Sequence, residues 1–325
     1  MQQVKYASST NSADNTVVKV TSSDPAFTWL SPADAEIFHI SKDAVFPAII
    51  FEFRTQAAGV YEWSWAIEWE VKVSGLNEQV RNGNVVQIFK DSGSFISSDT
   101  RWAVDLSGQT LGGKLTVTVT SGKKTLVRSV LICGKNPEKD DVASYLATLE
   151  GVAGFDKLIE QETGFKHFLH SDGEPVVAFD KGYGIAQVTR PAPSYEQAWS
   201  WKANIIVGAS IYREKVRAAA KYLGQADRNY TTAQLEHEAL SRWNGGSYHE
   251  WDQALVAWVR KKNILCDANT GNIGWLMDDE VNKDKPADEL HERDKDTFKN
   301  GKKGQSDNHS WAYSGVCYAD HVLAK

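Results

Sequence analysis

Cysteine is scarce in this chain: three residues among 325, at Cys133, Cys266 and Cys317. An odd number with no CxxC spacing excludes the dense disulfide frameworks of small secreted domains and the common zinc patterns. The three read as buried, inert thiols, with a Cys266–Cys317 pair in the C-terminal half as the alternative. Positive charge is also in short supply. With 36 Lys and Arg against 42 Asp and Glu, the net charge is -6, so a nucleic-acid partner is not expected. No segment approaches the roughly 20 apolar residues of a membrane span, and no membrane insertion is expected. Residues 1–15 are polar, without the apolar core of a secretory signal, and read as a flexible N-terminus.

Metal ligands are equally sparse. His291, His309 and His321 are scattered. Asp267-Ala268-Asn269-Thr270-Gly271 opens like a calcium loop, but Gly is missing from the sixth position and Asp278 stands where Glu is needed. No metal and no cofactor is expected.

Aromatic residues, by contrast, are plentiful, with 12 Trp, 11 Tyr and 12 Phe and a hydrophobic share of 42%. That is ample for packed cores, and the length favours two domains. Residues 16–135 have period two. In Tyr61–Val73 every odd position is large and apolar while the even positions are small or charged, as in a half-buried strand. Further strands are expected at Ala48–Phe53, Val85–Phe89, Leu115–Val119 and Leu126–Cys133. Turn signals separate them at Arg81–Asn84, Ser107-Gly108, Gly112-Gly113 and Ser121-Gly122. The pattern predicts an immunoglobulin-like β-sandwich with no cluster of reactive side chains, hence a targeting or adaptor domain. Trp63, Trp65 and Trp69 fill its core on this reading, and a sugar-stacking platform is the alternative.

Gly134–Asp140 marks a boundary, with Asp140 or Asp141 capping a helix at Val142–Leu149. Beyond it strand periodicity fades, so residues 136–325 are expected to be mainly α-helical. A polar insertion at about 266–308, of alternating charge, is expected to present a solvated face.

The chemistry concentrates between Glu162 and Asn204. Glu162 ends the helical segment Phe155–Gln161, whose apolar positions recur three to four apart, and Phe165 and Phe168 follow. A carboxyl held against such a wall has its pKa raised and can deliver a proton near neutral pH. Asp180, just before Gly182-Tyr183-Gly184-Ile185-Ala186-Gln187, is a candidate second carboxylate or a turn acid in solvent. Glu174 is a further candidate of the same kind.

Five motifs in order resemble those of the lytic transglycosylases with the soluble-transglycosylase domain, of the goose-type lysozyme-like superfamily. Glu162-Thr163-Gly164-Phe165 resembles their Glu-Ser-x-Phe, and Gly184-Ile185-Ala186-Gln187 their Gly-Leu-Met-Gln turn. Asn204–Gly208 resembles Asn-Ile-x-x-Gly, Arg242–Gly246 the Ala-Tyr-Asn-x-Gly segment, and Tyr318–Val322 the closing helix. Thr163 stands for Ser and Ala186 for Met. No acid follows Gln187, where goose-type lysozymes keep one.

The resemblance implies a lysozyme-like fold and cleavage of the β-1,4 bond between N-acetylmuramic acid and N-acetylglucosamine in peptidoglycan. Glu162 is then the general acid/base and 1,6-anhydro-muramyl ends are the product. Thr163, Tyr183, Gly184, Gln187, Asn204, Trp243, Asn244 and Tyr318 are expected to hold the glycan strand. The alternatives are a muramidase using Glu162 with Asp180, and a non-catalytic glycan-binding adaptor. A wall-cutting enzyme made in the cytoplasm without a Sec signal suggests an antibacterial effector of the type VI kind. It would act in a target cell's periplasm, with a secretion-machine component and an immunity protein as partners.

Overall fold

Alternation in the sequence shapes the first half. The computed structural model describes residues 26–56, 58–75, 81 and 84–324, and the expected flexible N-terminus at 1–15 lies outside them. Eight strands follow in order: β1 (Phe27–Ser31), β2 (Glu36–Ile40), β3 (Ile50–Thr55), β4 (Tyr61–Val71), β5 (Gln87–Ser97), β6 (Arg101–Ala103), β7 (Gly113–Ser121) and β8 (Lys124–Gly134). One sheet runs β1-β3-β6 and the other β2-β8-β7-β4-β5. Within the larger sheet β2 lies parallel to β8 and the other pairings are antiparallel.

The odd positions of β4 point into the space between the sheets. Trp63 is buried there and meets Phe53 of the facing sheet at 5.5 Å between ring centroids, while Trp69, further along the strand, is buried against Phe89 and the second half of the chain. Trp65 lies across Gly93, where a Cβ would stand 2.8 Å from the indole. The tryptophans therefore fill the core, as regular alternation predicts. Strands β1, β2 and β6 were not expected from the sequence. The turns at Ser107-Gly108 and after Ser121 are present, whereas Asn82 and Gly83 lie outside the described residues.

Gly112-Gly113 is not a turn. Gly113 begins β7, and a Cβ on Gly112 would come within 2.1 Å of the Trp199 ring. Glycine stands there to admit an indole from the other half of the chain, a contact no local pattern discloses.

The second half contains helices α1 (Lys139–Leu146), α2 (Phe155–Thr163), α3 (Tyr195–Trp199), α4 (Trp201–Leu223), α5 (Thr232–Trp243), α6 (Ala287–Phe298) and α7 (Gly315–Leu323). The first helix starts earlier than predicted, and Asp141 accepts a bond from the Glu138 backbone N–H at its entry. Ser194 and Ser200 cap α3 and α4 through their hydroxyls.

Helices dominate the regular structure of this half, but it also carries two small sheets: β9 (His249–Asp252) and β10 (Ala257–Arg260) form a hairpin, while β11 (Ile264–Cys266), β12 (Ile273–Leu276) and β13 (Trp311–Tyr313) form a three-stranded sheet. The whole molecule is thus mixed α+β. Strands of three or four residues are too short for alternation to reveal.

The charged segment at 266–308 does more than present a solvated face. Ile273, Trp275, Leu290 and Trp311 form a core of their own, and buried Asp294 accepts a bond from the Trp275 indole and pairs with Arg293. The thiol reading also requires correction. Cys266 and Cys317 form a disulfide, made possible by Gly274, where a Cβ would stand 2.7 Å from the Cys317 sulfur. Cys133 remains a thiol.

The two halves share one core. Phe168, Val177, Tyr183, Ala198 and Trp199 pack with the side chains of the sheets. Trp199 meets Trp69 at 5.3 Å, and Tyr183 donates its hydroxyl to Gln87 at 2.9 Å. The Trp69 indole donates to Glu174 at 2.9 Å, and Arg81 pairs with Asp172 at 2.7 Å.

Candidate active site around Glu162

Helix periodicity puts Glu162 on a buried face. It lies four residues after Leu158 and three after Ile159, both buried with Phe155, so the apolar stripe of α2 carries the carboxyl inward. Gly164, at φ 57°, then stops the helix with its N–H bonded to the Glu160 carbonyl.

Two side chains from distant elements meet Glu162. Tyr318, on α7, donates its hydroxyl to Oε1 at 2.5 Å, and Trp243, at the end of α5, donates its indole N–H to the same oxygen at 3.2 Å. Among the described residues, none donates to Oε2. Burial raises the Glu162 pKa above the ordinary carboxylate value, the Tyr318 and Trp243 bonds oppose the rise, and the charge of Asp180 adds to it. Burial and the neighbouring Glu162 likewise keep the Tyr318 phenol protonated.

The glycine turn is locked to the end of α2. The Thr163 hydroxyl donates to the Ile185 carbonyl at 2.9 Å. Asn204, fully buried, accepts from the Ala186 N–H and donates to the carbonyls of Tyr183 and Gln197. A Cβ on Gly184, at φ 66°, would stand 2.4 Å from the His167 ring, so only glycine fits there. Gln187 turns its amide back onto the Gly184 carbonyl at 2.8 Å.

Among the residues singled out by sequence, Trp243 and Tyr318 both bond to Glu162. Thr163, Gly184 and Asn204 build the support beneath them. Tyr183 faces the sheets. Asn244 ends α5 with its side-chain nitrogen buried and unpartnered. Asp180 is exposed, accepting from the Gly182 N–H at 3.2 Å, and its link to Glu162 is electrostatic. Glu174 stands apart from Glu162. Burial raises its pKa against the Trp69 bond and Arg81, at the junction of the halves.

Sequence reasoning missed two residues. His167 is fully buried, with Nδ1 accepting from the Ile185 N–H and Nε2 donating to the Ala198 carbonyl. Burial lowers its pKa to about 3, so the ring is neutral and pins the turn from behind. Nothing local distinguishes it from a surface histidine. Phe179, at the end of the apolar run Val176-Val177-Ala178-Phe179, is 88% exposed. It sits on a tight turn closed by bonds from Ala178 N–H to the Gly182 carbonyl and from Lys181 N–H to the Ala178 carbonyl. The flanking Asp180-Lys181-Gly182 is the signal that the apolar run ends in a turn.

A cavity of about 870 Å³ opens beyond the C-terminal end of α2, walled by His39, Cys133, Lys135, Lys166 and His170 among others, and Glu162 is not in its wall. Among the described residues no cluster of His, Cys, Asp and Glu could hold a metal ion, and no helix is long and apolar enough to cross a membrane. No protein-family model matches the chain, and no curated protein sequence matches it.

Proposed function

We propose that this protein is a peptidoglycan-cleaving glycosidase that cuts the β-1,4 bond between N-acetylmuramic acid and N-acetylglucosamine, with Glu162 as the acid. One observation carries the reading: a half-buried carboxyl with a raised pKa, held on one oxygen by a phenol and an indole drawn from separate helices. The convergence of α2, α5, α7 and the glycine turn supports a lysozyme-like arrangement of this half. Two sheets over a common core support the immunoglobulin-like reading of the first.

The chemistry follows from the bonding. Tyr318 and Trp243 both donate to Oε1, so the carboxylic proton resides on Oε2 and is the one given to the leaving glycosidic oxygen. As that bond breaks, the new carboxylate is stabilised by the two donors already in place. It then takes a proton from the muramyl C6 hydroxyl as that oxygen closes on the anomeric carbon, giving a 1,6-anhydro end. Asp180 supports the second reading, a hydrolase, because an exposed carboxylate whose charge reaches Glu162 can orient a water. Phe179 offers an exposed ring face to a sugar at the rim.

Digestion of purified peptidoglycan by the wild type and by Glu162→Gln, followed by mass spectrometry, tests this. Anhydro-muramyl products that vanish in the variant are the expected result. Reducing ends, one water heavier, would replace the transglycosylase with a muramidase. Binding without any product would overturn catalysis in favour of a glycan-binding adaptor. The biological setting attached to this reading is an antibacterial effector of the type VI kind, loaded through its β-rich half and countered by an immunity protein. Export through the general pathway with N-terminal cleavage would sink that setting.

A further inference from the structure

We propose that the Cys266–Cys317 bridge is a positioning element of the cleft, holding the Tyr318 hydroxyl on the Glu162 carboxyl so that the acid is complete only when the bridge is closed. The case begins with adjacency. Cys317 and Tyr318 are neighbours on α7. Successive helical residues point about 100° apart, so tying one side chain fixes the rotation of the helix and the direction of the next. A turn of α7 by about 10° moves a side-chain tip roughly 1 Å, enough to stretch the bond from Tyr318 out of range.

The bridge ties α7 to β11, and β11 belongs to the sheet of the 264–313 segment rather than to the helices around Glu162. The fit at both ends is close. Gly274 leaves room for the Cys317 sulfur, and Gly315, at the start of α7, lies so near Ser241 that a Cβ would stand 2.5 Å from its carbonyl. On the other side Arg260 reaches the Cys266 sulfur at 3.1 Å and Asp320 of α7 at 2.8 Å. Helix α7 is thus clamped between α5 and the small sheet, with the bridge as the covalent jaw. The groups acting on the Glu162 carboxyl are Tyr318 from α7, Trp243 from α5 and Asp180 from the 178–182 turn. Of these, Tyr318 is the one whose element the bridge controls.

The catalytic consequence rests on the function proposed above, but the test does not. The titration midpoint of Glu162 is followed by carbon-13 NMR of glutamate-labelled full-length protein, assigned by difference with Glu162→Gln. Donation from Tyr318 stabilises the carboxylate, so opening the bridge in Cys266→Ser/Cys317→Ser is expected to move the midpoint further upward. Tyr318→Phe is expected to do the same, and adding the cysteine changes to Tyr318→Phe to move it no further. Glycan cleavage, read in parallel, is expected to fall roughly tenfold with either change. An unmoved midpoint in the folded cysteine variant, or a full additive shift in the triple variant, overturns the proposal. So do three free thiols, Cys266 and Cys317 open beside Cys133, in non-reducing mass spectrometry of the wild type. Should the cysteine variant not fold, Gly274→Ala crowds the Cys317 sulfur while leaving the bridge intact. It must then shift the midpoint in the same direction, and no shift overturns the proposal. Absence of cleavage by the wild type with the midpoint behaving as expected refutes the glycosidase alone.

Discussion

Two glutamates in the same half of the molecule, Glu238 fully buried and Glu162 half-buried, have opposite fates. Glu238, on α5, is fully buried yet accepts from the Tyr248 and His249 backbone N–H groups and from the His249 ring, and pairs with Arg242 at 2.8 Å. Burial pushes its pKa up, but those partners outweigh burial and hold the carboxyl below its ordinary value. Glu162 receives two donors on a single oxygen, and there burial wins. The difference lies in how the number and charge of the partners weigh against the cost of desolvation. A carboxyl surrounded by a cation and several N–H groups is part of the framework, whereas one left short of donors keeps a proton to give.

The largest expected effect breaks the pair at its reactive member. Glu162→Gln should lower glycan cleavage roughly 10²–10⁴-fold in a product-release assay. The same change should raise stability at neutral pH. The folded pKa of Glu162 lies above its unfolded value, so its favourable contribution is present in acid and lost as pH rises through the folded pKa. Thermal melts at pH 7 should therefore favour the variant, and melts near pH 4 should not. Removing the other member, in Glu238→Ala, strands Arg242, His249 and two backbone donors. Urea unfolding should show a loss of about 3–5 kcal/mol, with the Glu162 titration unmoved at temperatures where the variant is folded.

His167 sharpens the comparison as a buried group that is satisfied yet still sensitive to acid. Its pKa is about 3 in the folded chain, against 6.5 for a free histidine side chain. As pH falls below about 6.5 the unfolded chain binds a proton that the folded chain refuses, and stability declines until pH approaches 3. The slope is about 1.4 kcal/mol per pH unit within that window. In His167→Gln, which keeps a donor and an acceptor without titrating, the slope should flatten in urea titrations between about pH 6 and pH 4.5. The smallest effect is expected from Tyr318→Phe, with cleavage reduced roughly tenfold and the alkaline limb of the pH–rate profile, where Glu162 loses its proton, moved upward.

These contrasts also mark what was legible in the sequence. The helix of Glu162 could be read because its apolar residues recur at helical spacing. The central strand at Tyr61–Val71 announces itself by strict alternation instead. The order of motifs singled out Trp243 and Tyr318 as holders of the glycan strand, but not their bonds to Glu162, since residues 81 and 156 positions apart leave no local trace. Glu238, Asp294 and His167 stayed hidden because a buried polar side chain is identified by partners that folding brings to it. Gly112 misled for the converse reason: glycine signals a turn locally, but here it makes space for Trp199. The strands β9 to β13 are three or four residues long, too short for alternation to show, and the disulfide stood only as an alternative because its cysteines are 51 positions apart.

The indole of Trp199 seated on Gly112 bears on heredity and engineering. A module joined by a tether can be swapped, duplicated or discarded by recombination, each part surviving the cut. Here a break at Gly134 would strip Trp199, Tyr183 and Phe168 of their cover, and Tyr183 supplies a carbonyl that orients Asn204. The β-rich half is therefore not a detachable passenger, and an ancestor that exchanged it would have had to rebuild the seam residue by residue.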